Sequence, residues 1–177
     1  HHLAQGVHQR TQIGIDLGLK YPNNQDGLFT DMAITVGVGK VSNLAKKLMQ
    51  VTQESLNLGI KQVKPGNTIQ DISRAVQGYV EKKGFSVVRD LVGHGVGLAV
   101  HEDPQIPNYY DPELHRRVIE LRPGMVLAIE PMVVVGGWQT ATLQAGWTAV
   151  SADRSLAAHF EHTVAVTEKG CEIITLL

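Results

Sequence analysis

Four carboxylates interrupt runs that otherwise read as buried β-strands. Asp16 sits between two glycines in I-G-I-D-L-G-L, residues 13–19, and Asp31 opens the inward run of the next strand. Glu130 follows Val126-Leu127-Ala128-Ile129, and Glu161 stands within His159-Phe160-Glu161-His162-Thr163-Val164. An unpaired carboxylate buried in such a run costs several kcal/mol. The helices and strands offer few lysines or arginines to answer four of them. A shared cluster of cations is the economical solution, with His94 of Gly93-His94-Gly95-Val96-Gly97 adding a nitrogen donor. Oxygen-rich donors plus one imidazole suit two divalent ions such as Mn, Fe, Co or Zn. Two such ions about 3.5–4 Å apart ready a water and polarise a carbonyl, which is the equipment for amide hydrolysis. Taken singly, a buried Asp or Glu is more often a hydrogen-bonded structural group, and His101, His159 and His162 each favour the same bland role. The conjunction of the five residues is what points to a metal site.

The remaining pattern is α+β, with all 177 residues in one catalytic domain. Period-two alternation over 13–19 places Ile13, Ile15, Leu17 and Leu19 on one face and Gly14, Asp16 and Gly18 on the other. Turn residues from Tyr21 to Gly27 lead into a second strand over about 29–38, so the pair reads as a hairpin. Ser42 caps a helix to about Ile60, with Leu44, Leu48, Val51 and Ser55 at helical spacing. After Lys64-Pro65-Gly66-Asn67, Thr68 caps a second helix to Lys83, with Ile69, Ile72, Val76, Tyr79 and Val80 inward and Gly84 at its end. Strands are expected over 86–91, 125–135, 159–167 and 171–177, and a polar loop over 104–117.

Composition narrows the partners. Sixteen Lys plus Arg oppose seventeen Asp plus Glu, without the basic excess of a nucleic-acid binder. No apolar run approaches the ~20 residues of a membrane span. Cys171 is the one cysteine, so no intramolecular disulfide forms, as suits a reducing cytosol.

Several motifs together carry a resemblance: Gly93-His94-Gly95-Val96-Gly97, His101-Glu102-Asp103-Pro104, Ile129-Glu130-Pro131-Met132, Phe160-Glu161-His162-Thr163, Thr30-Asp31-Met32 and Gly146-Trp147-Thr148. They resemble the signatures of type I methionine aminopeptidases, from about residue 13 to the end. The resemblance implies the pita-bread α+β fold, a curved antiparallel sheet backed by helices, with much of its first half absent. It implies Asp16, Asp31, His94, Glu130 and Glu161 as ligands of two divalent ions, with Asp31 and Glu161 bridging and Glu130 also shuttling a proton. His101 is similar to the family's histidine that hydrogen-bonds the scissile amide and steadies the tetrahedral intermediate. Trp147 resembles a wall of the methionine pocket, where a thioether packs well on the ring. His2 or His1 stands in for a further substrate-contacting histidine, with His8 the weaker candidate.

The implied activity is removal of N-terminal methionine from nascent proteins in the cytoplasm, with transient ribosome association and neither DNA nor membrane as partner. The alternatives are a proline-specific peptidase of the same fold and a non-catalytic relative acting as a binding module. Pro22-Asn23-Asn24-Gln25 looks like a four-residue insertion in the family's tight hairpin. A one-residue slip there would turn an aspartate to the wrong face, but an even insertion is absorbed at the tip and keeps Asp16 among the ligands. Read without a gap, Lys20 would take its place. Val100 precedes His101 where the family often has a larger aromatic, which implies a wider pocket. The opening His1-His2-Leu3-Ala4, lacking Met, reads as a start inside a larger domain.

Overall fold

The alternating run of residues 13–19 is the middle of a long edge strand. The computed structural model describes residues 11–113, 116–144, 146 and 148–176. β1 (Thr11–Tyr21) and β2 (Leu28–Val38) form an unbroken antiparallel hairpin from Thr11↔Val38 to Tyr21↔Leu28. Their tip takes up residues 22–27, where a Cβ on Gly27 would lie 1.9 Å from the Pro22 carbonyl oxygen. α1 (Asn43–Ile60) starts where the Ser42 hydroxyl accepts the Ala45 amide at 3.1 Å. α2 (Ile69–Lys82) starts where the amide and hydroxyl of Thr68 both donate to the Asp71 carboxylate, at 2.8 and 2.7 Å. It ends at Gly84, whose φ of 83° is a left-handed conformation that glycine adopts at little cost.

The remaining strands are β3 (Ser86–Val87), β4 (Gly93–Gly95), β5 (Glu102–Ile106), β6 (Val126–Ile129), β7 (Met132–Val134), β8 (Thr140–Thr142), β9 (Ala149–Ser151), β10 (Ala157–His159), β11 (Glu161–Val166) and β12 (Cys171–Ile173). The main sheet runs β1-β2-β11-β6-β4-β5, with β12 also on β11. β10-β7-β3 form a second sheet and β8-β9 a small ribbon. All pairings are antiparallel.

Leu127, Ile129, Val164 and Val166 of the main sheet are at most 3% exposed and join Leu48, Leu56, Ile72 and Val76 of the helices in one core. Side chains alternate across a strand, so Ala128, Glu161 and Thr163 point to the opposite face. The functional cluster is built on that face.

Several expectations need correction. The two long strands each break as they pass from one sheet to the other, at Glu130-Pro131 and at Phe160. Pro131 has no amide to continue a ladder, and the crossing separates β6 from β7 and β10 from β11. Residues 102–106, which fall partly in the expected loop, are an edge strand, and 140–151 contains a ribbon the sequence did not suggest. The strands expected over 86–91 and 171–177 are only two and three residues long. Leu44 is 45% exposed because it lies in the first turn of α1, off the core stripe. Ile15, Leu17 and Leu19 do share a face, yet they are 43–63% exposed, since the described helices back the centre of the sheet and not its edge.

Candidate metal centre

Strand register lays four of the five predicted residues out as two adjacent rows, with Glu130 just beyond the end of β6. Partners across an antiparallel ladder share a face. Asp16, Ala33 and Glu161 are opposite one another across β1, β2 and β11. Two residues along, Gly18 pairs with Asp31, and Thr163 pairs with Ala128, which in turn pairs with His94. Asp31 and Thr163 complete this second row through hydrogen bonds of the Thr163 hydroxyl to both the amide and the carbonyl of Asp31. Glu130 follows β6 directly, and Asn108, fully buried, donates to its carbonyl at 3.0 Å.

His94 is set by its neighbours. A Cβ on Gly93 would lie 2.4 Å from the Ala128 carbonyl oxygen, and one on Gly95 would lie 2.3 Å from that of Asp103. Only glycine lets β4 fit between β6 and β5 at both positions. The His94 Nδ1 lies 2.8 Å from the Gly95 carbonyl oxygen, which can only accept, so Nδ1 carries the proton. Nε2 is then the ring atom turned to the cluster, 3.5 Å from Oε1 of Glu130. Two electron-pair donors facing each other at that distance need a cation or a proton between them.

Ligand atoms converge in three overlapping groups: Asp16, Asp31 and Glu161; His94, Glu130 and Glu161; and Asp31, His94 and His101. Within each group every ligand atom lies within 4.8 Å of the others. Among the described residues, the lysine and arginine ion pairs lie elsewhere, at Arg74–Asp71 and Arg122–Glu120. Burial, reinforced by Glu130, Asp31 and Asp16, pushes the Glu161 carboxyl up to about 9. Burial, and then the Asp16 charge, raises Asp31, while His94 acts in the opposite direction. One oxygen of Glu161, Oε1, is buried without a hydrogen-bond partner among the described residues. A hard, negative, under-satisfied donor set of this kind fits divalent cations.

Asp31, His94 and Glu161 are buried, but Asp16 is exposed on the edge strand, so its placement is not the buried one that the strand pattern suggested. The inserted hairpin tip leaves Asp16 and Asp31 on one face, while Lys20 lies apart, its ammonium over the Phe29 ring. His101 is exposed and packs edge-on to His94, ring centroids 4.4 Å apart. Trp147, His1, His2 and His8 lie outside the described residues. Sequence reasoning missed Asn108, Thr163 and above all His159, whose Nε2 is 3.3 Å from Oε2 of Glu130. The one signal for His159 was its place two residues before Glu161 in an apolar run.

An antiparallel sheet backed by helices on one face, with an Asp, Glu and His cluster suited to cations on the other, places the chain in the α+β class with a candidate metal centre. Residues 1–168 match the family described as metallopeptidase family M24, and the chain belongs to that family. Methionine aminopeptidase 1 of Bacillus subtilis is 51% identical over 163 residues, covering 92% of this chain and 63% of that protein. The crystal structure of methionine aminopeptidase from Thermotoga maritima superposes with a TM-score of 0.86 at 47% identity, over 94% of this chain and 64% of that one. Prolidase from Pyrococcus furiosus superposes with a TM-score of 0.69 at 25% identity, over 94% of this chain and 41% of that one. These neighbours carry the expected pita-bread fold. The chain thus spans a little under two thirds of the length of the aminopeptidases it matches. No described helix is long and apolar enough to cross a membrane.

Proposed function

We propose that this chain carries the metal-dependent centre of a methionine aminopeptidase, which removes the N-terminal methionine from peptides and nascent proteins. The observation that carries this reading is the convergence of Asp16, Asp31, His94, Glu130 and Glu161 without a lysine or arginine partner among the described residues. In this reading the five residues would hold two divalent ions (Mn, Fe, Co or Zn). Such ions, when bound, supply Lewis acidity toward the scissile carbonyl and lower the pKa of water.

The chain's own residues do the rest. Glu130, at the rim of the cluster and 12% exposed, moves protons between water and the leaving amine. His101, exposed beside His94, donates a hydrogen bond to the scissile amide and its developing negative charge. Trp147 walls the methionine side chain, and His2 contacts substrate. A cavity of about 330 Å³ lined by Leu91, Met132, Val134 and His159, among others, receives a neighbouring substrate side chain. The setting is the cytoplasm, with transient ribosome association bringing nascent chains to the site.

The test is release of methionine from a Met-Gly-Met peptide with Co or Mn, compared with His94→Ala. Loss of turnover in the variant supports the reading, and equal turnover overturns it. Preference for X-Pro over Met-Ala peptides would instead assign a proline-specific peptidase. Metal analysis after dialysis separates the enzyme, at about two ions per chain, from a binding module with none.

A further inference from the structure

Glu130 has an imidazole on either side. Its Oε1 faces Nε2 of His94 at 3.5 Å and its Oε2 faces Nε2 of His159 at 3.3 Å. The two histidines differ in how they are held. The His94 ring is oriented through its own side chain, with Nδ1 donating to the Gly95 carbonyl. His159 is held by its main chain, whose amide donates to the Thr35 hydroxyl at 2.9 Å and whose carbonyl accepts from it at 2.8 Å. The His159 Nε2 is buried and has no aligned hydrogen-bond partner among the described residues. A buried ring nitrogen left this way costs free energy unless something turns to meet it.

We propose that His159 is a positioning residue for Glu130. Its Nε2–H donates to Oε2, which fixes the plane of the carboxylate and leaves Oε1 turned toward the cation beside His94 and Glu161. In the arrangement described the contact is close but misaligned. A small rotation of the carboxylate would straighten the hydrogen bond. His159 is not itself a ligand, since the converging groups contain His94, Glu130 and Glu161 without it. The inference rests on Glu130 as a cation ligand, and its test does not depend on peptidase turnover.

The experiment is titration of the cation-free chain with cobalt(II) alone, followed by calorimetry and by the visible cobalt absorption. His159→Met and His159→Leu remove the donor, and His159→Gln replaces it with an amide of similar reach. The expected result is cobalt binding weakened roughly 10–100-fold in the donorless variants, the usual loss when a partner of a metal ligand is removed. Stoichiometry should be unchanged, and the glutamine variant should recover most of the affinity. Running two donorless variants in parallel leaves a result if one of them fails to fold. Wild-type affinity in the donorless variants overturns the proposal. So does a loss of stoichiometry that glutamine does not restore, which would make His159 a ligand, and so does absence of cobalt binding in the wild-type chain. If cobalt behaves as expected while Met-Gly-Met is not cleaved, the aminopeptidase reading fails and the role of His159 stands.

Discussion

The Thr163 hydroxyl accepts the Asp31 amide at 2.8 Å and donates to the Asp31 carbonyl at 2.7 Å. It takes the place of a ladder rung just where β2 and β11 stop pairing after Met32↔His162. Asp31 is buried, so without that hydroxyl two main-chain groups lose their partners. Thr163→Val is nearly isosteric but cannot make either bond. It is expected to lower unfolding free energy by about 1–3 kcal/mol, the penalty for a buried group left unpaired. Urea denaturation measures that loss, and a parallel titration should show weaker cation binding.

Gly95 tests the crowding around His94. Its absent Cβ would sit 2.3 Å from the Asp103 carbonyl oxygen, which is backbone and cannot swing aside. Gly95→Ala should push β5 from β4 and cost about 1–3 kcal/mol, as overpacking does. Gly78→Ala, on α2 with open space around its Cβ, is the control and should be neutral or stabilising. A comparison of thermal midpoints checks both, and equal midpoints for Gly95→Ala and wild type would refute the crowding.

Glu161 sets the pH response of the cation-free chain. Its carboxyl is raised from 4.5 to about 9, first by burial and then by Glu130, Asp31 and Asp16. The folded state therefore holds a proton that the unfolded state has released between these values. Stability falls as pH rises through that window. Denaturation in chelator at pH 5, 7 and 9 should show the decline, and Glu161→Gln should remove the greater part of it. A divalent cation reverses the sign by replacing the proton, so binding releases protons and stabilises more at high pH. At free cation 100 times the dissociation constant the gain is about 2.7 kcal/mol.

The hairpin tip is separable from the site. Deleting residues 22–25 leaves Asp26-Gly27 between Tyr21 and Leu28, a two-residue turn of the favoured Asp-Gly type. The Tyr21↔Leu28 register survives, so Asp16 stays with Asp31 and Glu161. Stability should change by less than about 1 kcal/mol, since loop length enters only logarithmically. Cobalt titration should find affinity close to that of the parent chain. Deleting only residues 22–24 forces an odd loop, and should weaken binding if register is what holds Asp16 in place.

Much of this architecture was legible in short stretches of residues. The caps at Ser42 and Thr68, the stop at Gly84 and the apolar stripe of Ile69, Ile72, Val76 and Val80 are local patterns, and the helices follow them within a residue or two. The Gly-His-Gly run stood out as the setting of a histidine donor but not as a strand; it folds as β4, and the reason for its glycines lies in the carbonyls of Ala128 and Asp103, distant in sequence from His94 in the first case. The breaks at Glu130-Pro131 and Phe160 were hidden, because continuous apolar runs do not tell when a strand changes sheets. Asp16 read as buried for a related reason. Alternation shows which face a residue takes, and burial depends on what the rest of the molecule lays over that face.

Residue order by itself determined the helices, the hairpin, and the unusual placing of four carboxylates and a histidine in strand-like segments, because each depends on chemistry within a few residues. Only the tertiary structure decided that four of these groups lie in two neighbouring rows with Glu130 beside them, that Thr163 and Asn108 anchor two of the five, and that His159 meets Glu130. Those relationships span as many as 132 residues and arise from strand register, which adds up over several pairings and is written in no single segment.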